Sequence, residues 1–310
     1  MTVFASRLRL VVAVALGAAL CLGAGACGTT DDSASDDSSA TVSSYDVSNV
    51  QEDATIAALV PDAVKSDGKL TVGMDTSYAP AEFLDADGKT PVGFDVDIVK
   101  ALSKVMGLEA DPETASFDLI IPSVGSKYDL GVSSFTITKE RMEAVDFVSL
   151  YNSGSTWVVQ KGNPSNVDPS DICGLKVAVQ TGTMQESAVN EMSQQCVADG
   201  KSKVDVLSSS LQTDVTTNVA TGKADAFYAD TPVAGYAIEQ TSDTLQTIGE
   251  EEGTALEGIV VQKGDTAMAQ ATQQALQKLI DDGTYEAILK NWGVEAGAIK
   301  TAEINPTPAS

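Results

Sequence analysis

Asp129-Leu-Gly-Val-Ser133-Ser-Phe-Thr136-Ile-Thr-Lys-Glu-Arg141 begins as a short apolar run and passes into hydroxyls and then an arginine. The run Asp129 to Ser133 reads as a buried strand bounded by polar residues, and the residues after it read as material displayed at the strand's carboxyl end. The same pattern recurs outward in both directions. Leu70 to Met74 is followed by Asp75 and Tyr78, Leu175 to Gln180 by Thr181-Gly182-Thr183, and Ala226 to Ala229 by Asp230. Thr156 to Gln160, Val204 to Leu207 and Ile259 to Gln262 read as further strands. Amphipathic helices fall between them. One follows Asp95 as N-cap, puts Val96, Val99, Leu102 and Met106 on a stripe and stops at Gly107; another runs over 265–282 with Asp265 as cap and Gly283 at its end. Strands alternating with helices imply α/β sheets, and in open α/β sheets ligands collect beyond the carboxyl ends of the strands.

The residues at those ends have a common chemistry. Arg141 can fork a carboxylate, and Asp230 can hold an ammonium. Those are the two charged ends of a free amino acid, so the pattern points to a binder of small zwitterions. Bland readings compete at each position. Arg141 would form an exposed helix pair with Glu140 or Glu143, worth at most about 1 kcal/mol. Asp230 would cap the turn before Thr231-Pro232, and the rings of Tyr78 and Phe117 would simply fill core.

The 310 residues carry 19 basic and 44 acidic side chains, a formal charge of −25. Such a balance disfavours nucleic acid as a partner. With no histidine, imidazole acid–base chemistry, histidine metal ligands and His-based triads are excluded. No cofactor and no metal are expected. Arg7 and Arg9 precede an apolar run, Leu10 to Leu22, and small residues lead to Cys27, so residues 1–26 read as an export signal. Without them the bases fall from 19 to 17 against 44 acids, a formal charge of −27. Residues 27–65, rich in Ser and Asp, are expected to be a disordered tether, and 298–310 an unstructured tail. No second stretch is long enough to span a bilayer. Cys173 and Cys196, in an exported chain, most simply form one disulfide worth roughly 3 kcal/mol; a redox or metal pair would want a CxxC spacing or further ligands.

Several motifs stand in order: Tyr78-Ala-Pro-Ala-Glu-Phe83, Gly93-Phe-Asp-Val-Asp97, Phe117-Asp-Leu-Ile-Ile-Pro122, Ser133 to Arg141, Val177-Ala-Val-Gln-Thr-Gly-Thr183, Asp225 to Pro232, and Asp282-Gly-Thr-Tyr285 followed by Trp292-Gly293. Together, over about Lys69 to Val294, they resemble the polar amino-acid family of ABC-transporter solute-binding proteins. Ala24-Gly25-Ala26-Cys27 similarly resembles a lipobox with Cys27 as the lipidated residue, although Ala24 stands where Leu is usual. The family resemblance implies a two-lobed, periplasmic-binding-protein-like α/β fold of type II, with two chain crossovers and the ligand in the cleft. Lobe 1 would be 66–155 with 260–297, and lobe 2 would be 156–259.

By the same resemblance Arg141, with the backbone amides of Thr136 and of the Thr183-Met184 turn, would take the ligand carboxylate. Asp230, with the Thr136 hydroxyl and the Ser134 carbonyl, would take the ammonium. Tyr78 and Phe117, each from a loop, would flank the side-chain stem, and Asp75 and Gln180 would meet its far end, which favours glutamine or a basic amino acid. Met184 and Ala81 depart from the residues usual at their positions, which bears on pocket shape. Asp95 and Asp97 are expected to cap their helix and support the hinge, and Gly283, Tyr285 and Trp292 to be structural. The resemblance further implies a monomer, lipid-anchored to the outer face of the cytoplasmic membrane through Cys27, that binds a polar amino acid and serves the membrane subunits of an ABC permease. The alternatives are an exported enzyme on the same scaffold, of the cyclohexadienyl dehydratase type, with Asp75, Glu82 and Asp230 placed for acid–base work, or a sensor reporting to a membrane receptor.

Overall fold

A computed structural model describes residues 44–242 and 244–308, so the leader and Cys27 lie outside the described residues. The first part of the chain forms α1 (Ala54–Ala57), α2 (Asp62–Lys65), β1 (Lys69–Met74), β2 (Ser77–Tyr78), β3 (Glu82–Leu84), β4 (Pro91–Val92), α3 (Phe94–Val105), β5 (Glu109–Thr114), α4 (Phe117–Ser123), β6 (Leu130–Thr136) and α5 (Lys139–Ala144). Then come β7 (Val145–Gln160), β8 (Lys176–Gln180), α6 (Met184–Ala198), β9 (Asp205–Ser209), α7 (Gln212–Ala220), β10 (Ala226–Asp230), α8 (Thr231–Gln240), β11 (Leu245–Gln262), α9 (Thr266–Asp281) and α10 (Thr284–Asn291).

Eight strands form one sheet in the order β5-β1-β6-β11-β7-β10-β8-β9. Its outer portions are parallel: β1 pairs with β5 and β6, and β8 with β9 and β10. The centre is made by β7 and β11, antiparallel to each other over 16 and 18 residues. Their register slips between Ile248 and Glu252 and again between Glu252 and Ala255, opposite Ser153-Gly154-Ser155 of β7. On one side of the slip β11 continues onto β6, and on the other β7 continues onto β10. The sheet is therefore two half-sheets joined by two crossing strands, a two-lobed α/β fold.

One apolar cluster draws on both halves, with Leu70 and Val72 from one and Ala178 and Phe227 from the other, and each half also has a cluster of its own. Phe117, Ile120, Phe135, Phe147 and Val260 form one cluster, and Trp157, Val177, Val189, Val204 and Tyr228 another. The Cys173–Cys196 disulfide, with Cα atoms 5.6 Å apart, borders the second cluster and ties the approach to β8 to α6.

The start of α3 differs from expectation. Phe94 is its first residue and Gly93 its N-cap at φ 135°, where a Cβ would lie 2.1 Å from the Ala81 carbonyl oxygen. Asp95 and Asp97 are thus buried inside the first turn and do not cap it. Asp97 accepts from the Trp292 indole at 2.9 Å and the Tyr45 amide at 2.7 Å. Gly107 ends the helix at φ 73°, and Asp265 caps α9 by accepting from the Met268 amide, both as expected.

Two segments read as unstructured are folded onto the body. Within the expected tether, 44–65 packs Val47, Ile56 and Val60 into the core, and Asp53 both caps α1 and donates its amide to the Val105 carbonyl at 2.9 Å. Its apolar residues are too irregularly spaced to give a period. The tail lies along the stretch of β7 that β10 does not reach: Ser149 and Glu303 exchange two hydrogen bonds at 2.9 Å, and Phe147 and Asn305 exchange two more at 2.8 and 2.9 Å. An open strand edge is thereby covered.

Candidate functional site

The carboxyl ends of β1, β6, β8 and β10 meet where the half-sheets face each other. Asp75, just past β1, is 1% exposed and accepts four hydrogen bonds. Its Oδ1 takes the Ser77 amide at 3.0 Å and hydroxyl at 2.7 Å, and its Oδ2 takes the Phe117 amide at 3.1 Å and the Gln180 Nε2 at 2.7 Å. Gln180 ends β8, so this carboxyl joins the two halves. Burial pushes the Asp75 pKa up, and the hydrogen bonds pull against it.

A second link runs from β2 to the end of β10. The Tyr78 hydroxyl donates to Asp230 Oδ2 at 2.6 Å, while Gln185 Nε2 of α6 donates to Asp230 Oδ1 at 2.7 Å. Burial raises the Asp230 pKa to about 6, and burial followed by the Asp230 charge drives the Tyr78 phenol well up. The neighbouring Glu257, on β11 opposite Thr136 and Tyr151, is pushed up by burial and then by the Asp230 charge.

Arg141 is carried by α5, whose N-cap hydroxyl, Thr138, accepts the Arg141 amide. The guanidinium bridges the halves: Nη1 donates to the Thr136 carbonyl at 2.8 Å and Nη2 to the Gly182 carbonyl at 3.1 Å. It lies 5.5 Å from the Phe117 ring centre and 5.7 Å from that of Phe135, within cation–π range. Burial lowers its pKa to about 10, and Asp230 and then Glu257 oppose the drop. Arg141 and Asp230 therefore act on each other's ionisation across one seam, each from a different half.

The other expected residues take defined places. Ser134 is in the left-handed region at φ 44° and donates its amide to Asp95 Oδ2. Thr183 caps α6 by accepting from the Glu186 amide, and the Glu186 carboxylate accepts from the Gly182 amide, one residue before the cap, at 2.7 Å, a contact not expected from the sequence. Met184, the first residue of α6, is 36% exposed at the seam's edge. Tyr78 and Phe117 come from a short strand and a helix start and not from loops; Phe117 stacks on Phe135 at 4.6 Å between ring centres.

Sequence reasoning missed Glu257, Gln185 and Asp95 as part of this cluster, and it gave Glu82 a place there only under the enzyme alternative. Glu257 follows the acidic run Glu250-Glu251-Glu252 and looks like one more solvated charge. Only its place on the continuous crossing strand, four residues before Val261, turns it inward. Gln185 sits one residue inside a helix whose weak amphipathy gave no inward face.

Residues 70–295 match the model of bacterial extracellular solute-binding proteins, family 3. The arginine-binding protein ArgT of Corynebacterium glutamicum is 37% identical over 255 residues, covering 82% of this chain and 83% of that protein. The L-cystine-binding protein TcyJ of Escherichia coli K12 is 31% identical, covering 74% and 84%. Among solved structures, an ancestral arginine-binding protein bound to arginine superposes with a TM-score of 0.68 at 32% identity, covering 73% of this chain and 98% of that one.

Proposed function

This chain belongs to the bacterial extracellular solute-binding proteins, family 3, and from that premise we propose that it captures a basic L-amino acid between its lobes and delivers it to an ABC permease. Arg141 takes the α-carboxylate, with the amides at the start of α6, and Asp230 takes the α-ammonium. Because one group belongs to each half, a ligand satisfying both is bound better by the closed form and shifts the population toward it. In this reading β7 and β11 are the crossovers, lobe 1 is 66–155 with 260–297, and lobe 2 is 156–259.

The observation that carries the reading is the arrangement of Arg141 and Asp230 on opposite sides of one buried seam, coupled electrostatically to each other. Asp75, which accepts four hydrogen bonds as a carboxylate does, adds negative charge beyond what a neutral zwitterion needs, which supports arginine, lysine or ornithine ahead of glutamine. The arginine-binding relatives support the same order. We further propose that Cys27 carries a lipid anchor, that the protein works as a monomer outside the cytoplasmic membrane, and that no bond of the ligand is made or broken.

Calorimetry of the purified protein against each free amino acid tests the reading. The expected result is saturable binding of one or more basic amino acids, lost in Arg141→Ala and Asp230→Ala, with no turnover of a prephenate-like acid. Binding that survives both substitutions to within about 1 kcal/mol overturns the assignment, since removing one partner of a buried charge pair costs about 2–5 kcal/mol. Mass spectrometry of membrane-fractionated protein, with and without Cys27→Ser, tests the anchor.

A further inference from the structure

Glu82 on β3 and Asp95 in the first turn of α3 are both fully buried, at 0% and 1% exposure, and neither is among the groups assigned to the ligand. One oxygen of each is used: Glu82 Oε1 accepts from the Ser133 hydroxyl, and Asp95 Oδ2 accepts from the Ser134 amide at 3.3 Å. The Ser133 hydroxyl oxygen in turn accepts from the Asp75 amide at 3.2 Å. The remaining oxygens, Glu82 Oε2 and Asp95 Oδ1, are buried with no hydrogen-bond partner among the described residues, and each carboxyl acts on the other's ionisation. Ionised carboxylates only accept, so two buried carboxyls that each leave an oxygen without a donor, and that repel one another when both are charged, favour a proton on one of them.

We infer that Glu82 and Asp95 hold a proton between them, and that this acid pair locks Ser133 and Ser134 in place as positioning residues of the ammonium-binding loop. The inference rests on the proposed amino-acid binding. Ser134 needs such a lock because a non-glycine residue at φ 44° stays there only when its surroundings impose it. Its amide is tied to Asp95, which aims its carbonyl, the group assigned to the ligand ammonium, while Ser133 fixes the Asp75 backbone beside it.

The surroundings favour keeping the proton. Asp75 at the end of β1 presses negative charge on the pair, and Glu257 of β11, Tyr151 of β7 and Tyr285 of α10 are the groups whose ionisation the pair opposes. Asp97, two residues along α3, is occupied by Trp292, Tyr45 and Lys100. Burial first, and the neighbouring carboxyls next, raise the Glu82 pKa well above its ordinary value, and burial raises that of Asp95 as well. With both folded values above the unfolded ones, the arrangement is intact at low and neutral pH and is lost as the pH rises beyond.

The test compares wild type with Glu82→Gln and Glu82→Met by calorimetric titration with L-arginine from about pH 6 to about pH 10, spanning the ordinary range above carboxylates. Glutamine supplies a permanent N–H donor toward Asp95 and keeps a carbonyl for Ser133, whereas methionine supplies neither. Glu82→Met is expected to weaken binding at neutral pH by about tenfold or more, as befits lost hydrogen bonds to charged groups, and Glu82→Gln to recover most of that loss. The ratio of wild-type to E82Q affinity is expected to fall by about tenfold between neutral and alkaline pH, because both proteins share the titration of arginine itself but only wild type has a proton to lose. In infrared spectra at neutral pH, the wild-type minus E82Q difference should contain a protonated-carboxyl stretch. Should Glu82→Met fail to fold, the E82Q ratio and the infrared difference decide alone. A ratio that stays constant with pH, or a difference spectrum without that band, overturns the inference while leaving amino-acid binding standing. Failure of wild type to bind any free amino acid removes the proposed function and the positioning role with it, and the infrared band then judges the shared proton by itself.

Discussion

Asp230→Asn separates a ligand contact from a structural one, because it should move affinity and stability in opposite directions. In the free protein Asp230 is 7% exposed, and its pKa stands at about 6 against an ordinary value of 3.8. The folded value lies above the unfolded one, so the contribution to stability is fully present below about pH 4 and is lost as the pH rises through about 6. A shift of about 2 units corresponds to roughly 3 kcal/mol of destabilisation once the carboxylate is ionised at neutral pH. Asparagine removes that cost. It keeps a carbonyl for Gln185 Nε2, and its amide can donate to a rotated Tyr78 hydroxyl, at the expense of weaker neutral hydrogen bonds worth about 1 kcal/mol. The net expectation is a ligand-free protein as stable as wild type or up to about 2 kcal/mol more stable at pH 7.5, with a flatter melting-temperature profile between about pH 4 and pH 7. Arginine affinity should fall by about 2–5 kcal/mol, or roughly 30-fold to several thousand-fold, because the α-ammonium loses its buried charge partner. Thermal melts across pH and calorimetry on the same preparations read both quantities. An affinity loss below about tenfold would refute the ammonium role, and a stability loss above about 2 kcal/mol would show that Asp230 serves the fold.

Arg141→Met should cost about 2–5 kcal/mol of ligand affinity by calorimetry, and Arg141→Lys should recover only part of it, since an ammonium lacks the planar fork that reaches both the Thr136 and Gly182 carbonyls. Replacing Cys173 and Cys196 together by serine should lower stability to denaturant by roughly 3 kcal/mol and leave affinity within a factor of about 2, because the bridge borders the second lobe's core away from the seam. Deleting 298–310 removes five hydrogen bonds to β7 and should cost about 2–4 kcal/mol, with faster hydrogen exchange at the Phe147 and Ser149 amides; unchanged exchange there would show that the tail is dispensable.

The parallel strands of each half were legible in the sequence because a buried strand followed by a polar turn leaves a local mark, as Leu175 to Gln180 and Ala226 to Asp230 do. The crossing strands were read only in part. Asn152-Ser-Gly154 in β7 and Glu250 to Gly253 in β11 interrupt the apolar pattern where the strands pass between lobes, so Thr156 to Gln160 and Ile259 to Gln262 stood out alone. The edge strand Glu109–Thr114 was missed because only one side is paired and its residues are largely polar. In the site, residues that follow a strand were found by position. Glu257 was not, since it lies within a strand, and neither was the partnership of Glu82 with Asp95, which depends on contacts between β3 and α3 that no periodicity encodes. The folded part of the supposed tether escaped for a related reason: Val47, Ile56 and Val60 are buried singly by tertiary packing and not as a stripe.

Charge balance in the cleft bears on which amino acid is preferred. On the proposed assignment Arg141 and Asp230 match the α-carboxylate and α-ammonium of any ligand, leaving the negative charge of Asp75 in excess. Asp75, however, already accepts from Ser77, Phe117 and Gln180, which fill the positions a carboxylate offers. A ligand's distal group can replace one of those donors, Gln180 being the one from the opposite lobe, or it can be read through the field alone. Either route rewards a positive charge more than a neutral donor of the same shape, since one pair of unit charges about 4 Å apart is worth roughly 4 kcal/mol at the effective dielectric of partly buried sites. Arginine and citrulline differ at that end by little besides charge. Arginine is therefore expected to bind at least about 30-fold tighter than citrulline, and Asp75→Asn to shrink that preference. Equal affinities in wild type would end the case for a basic ligand without touching the case for an amino acid.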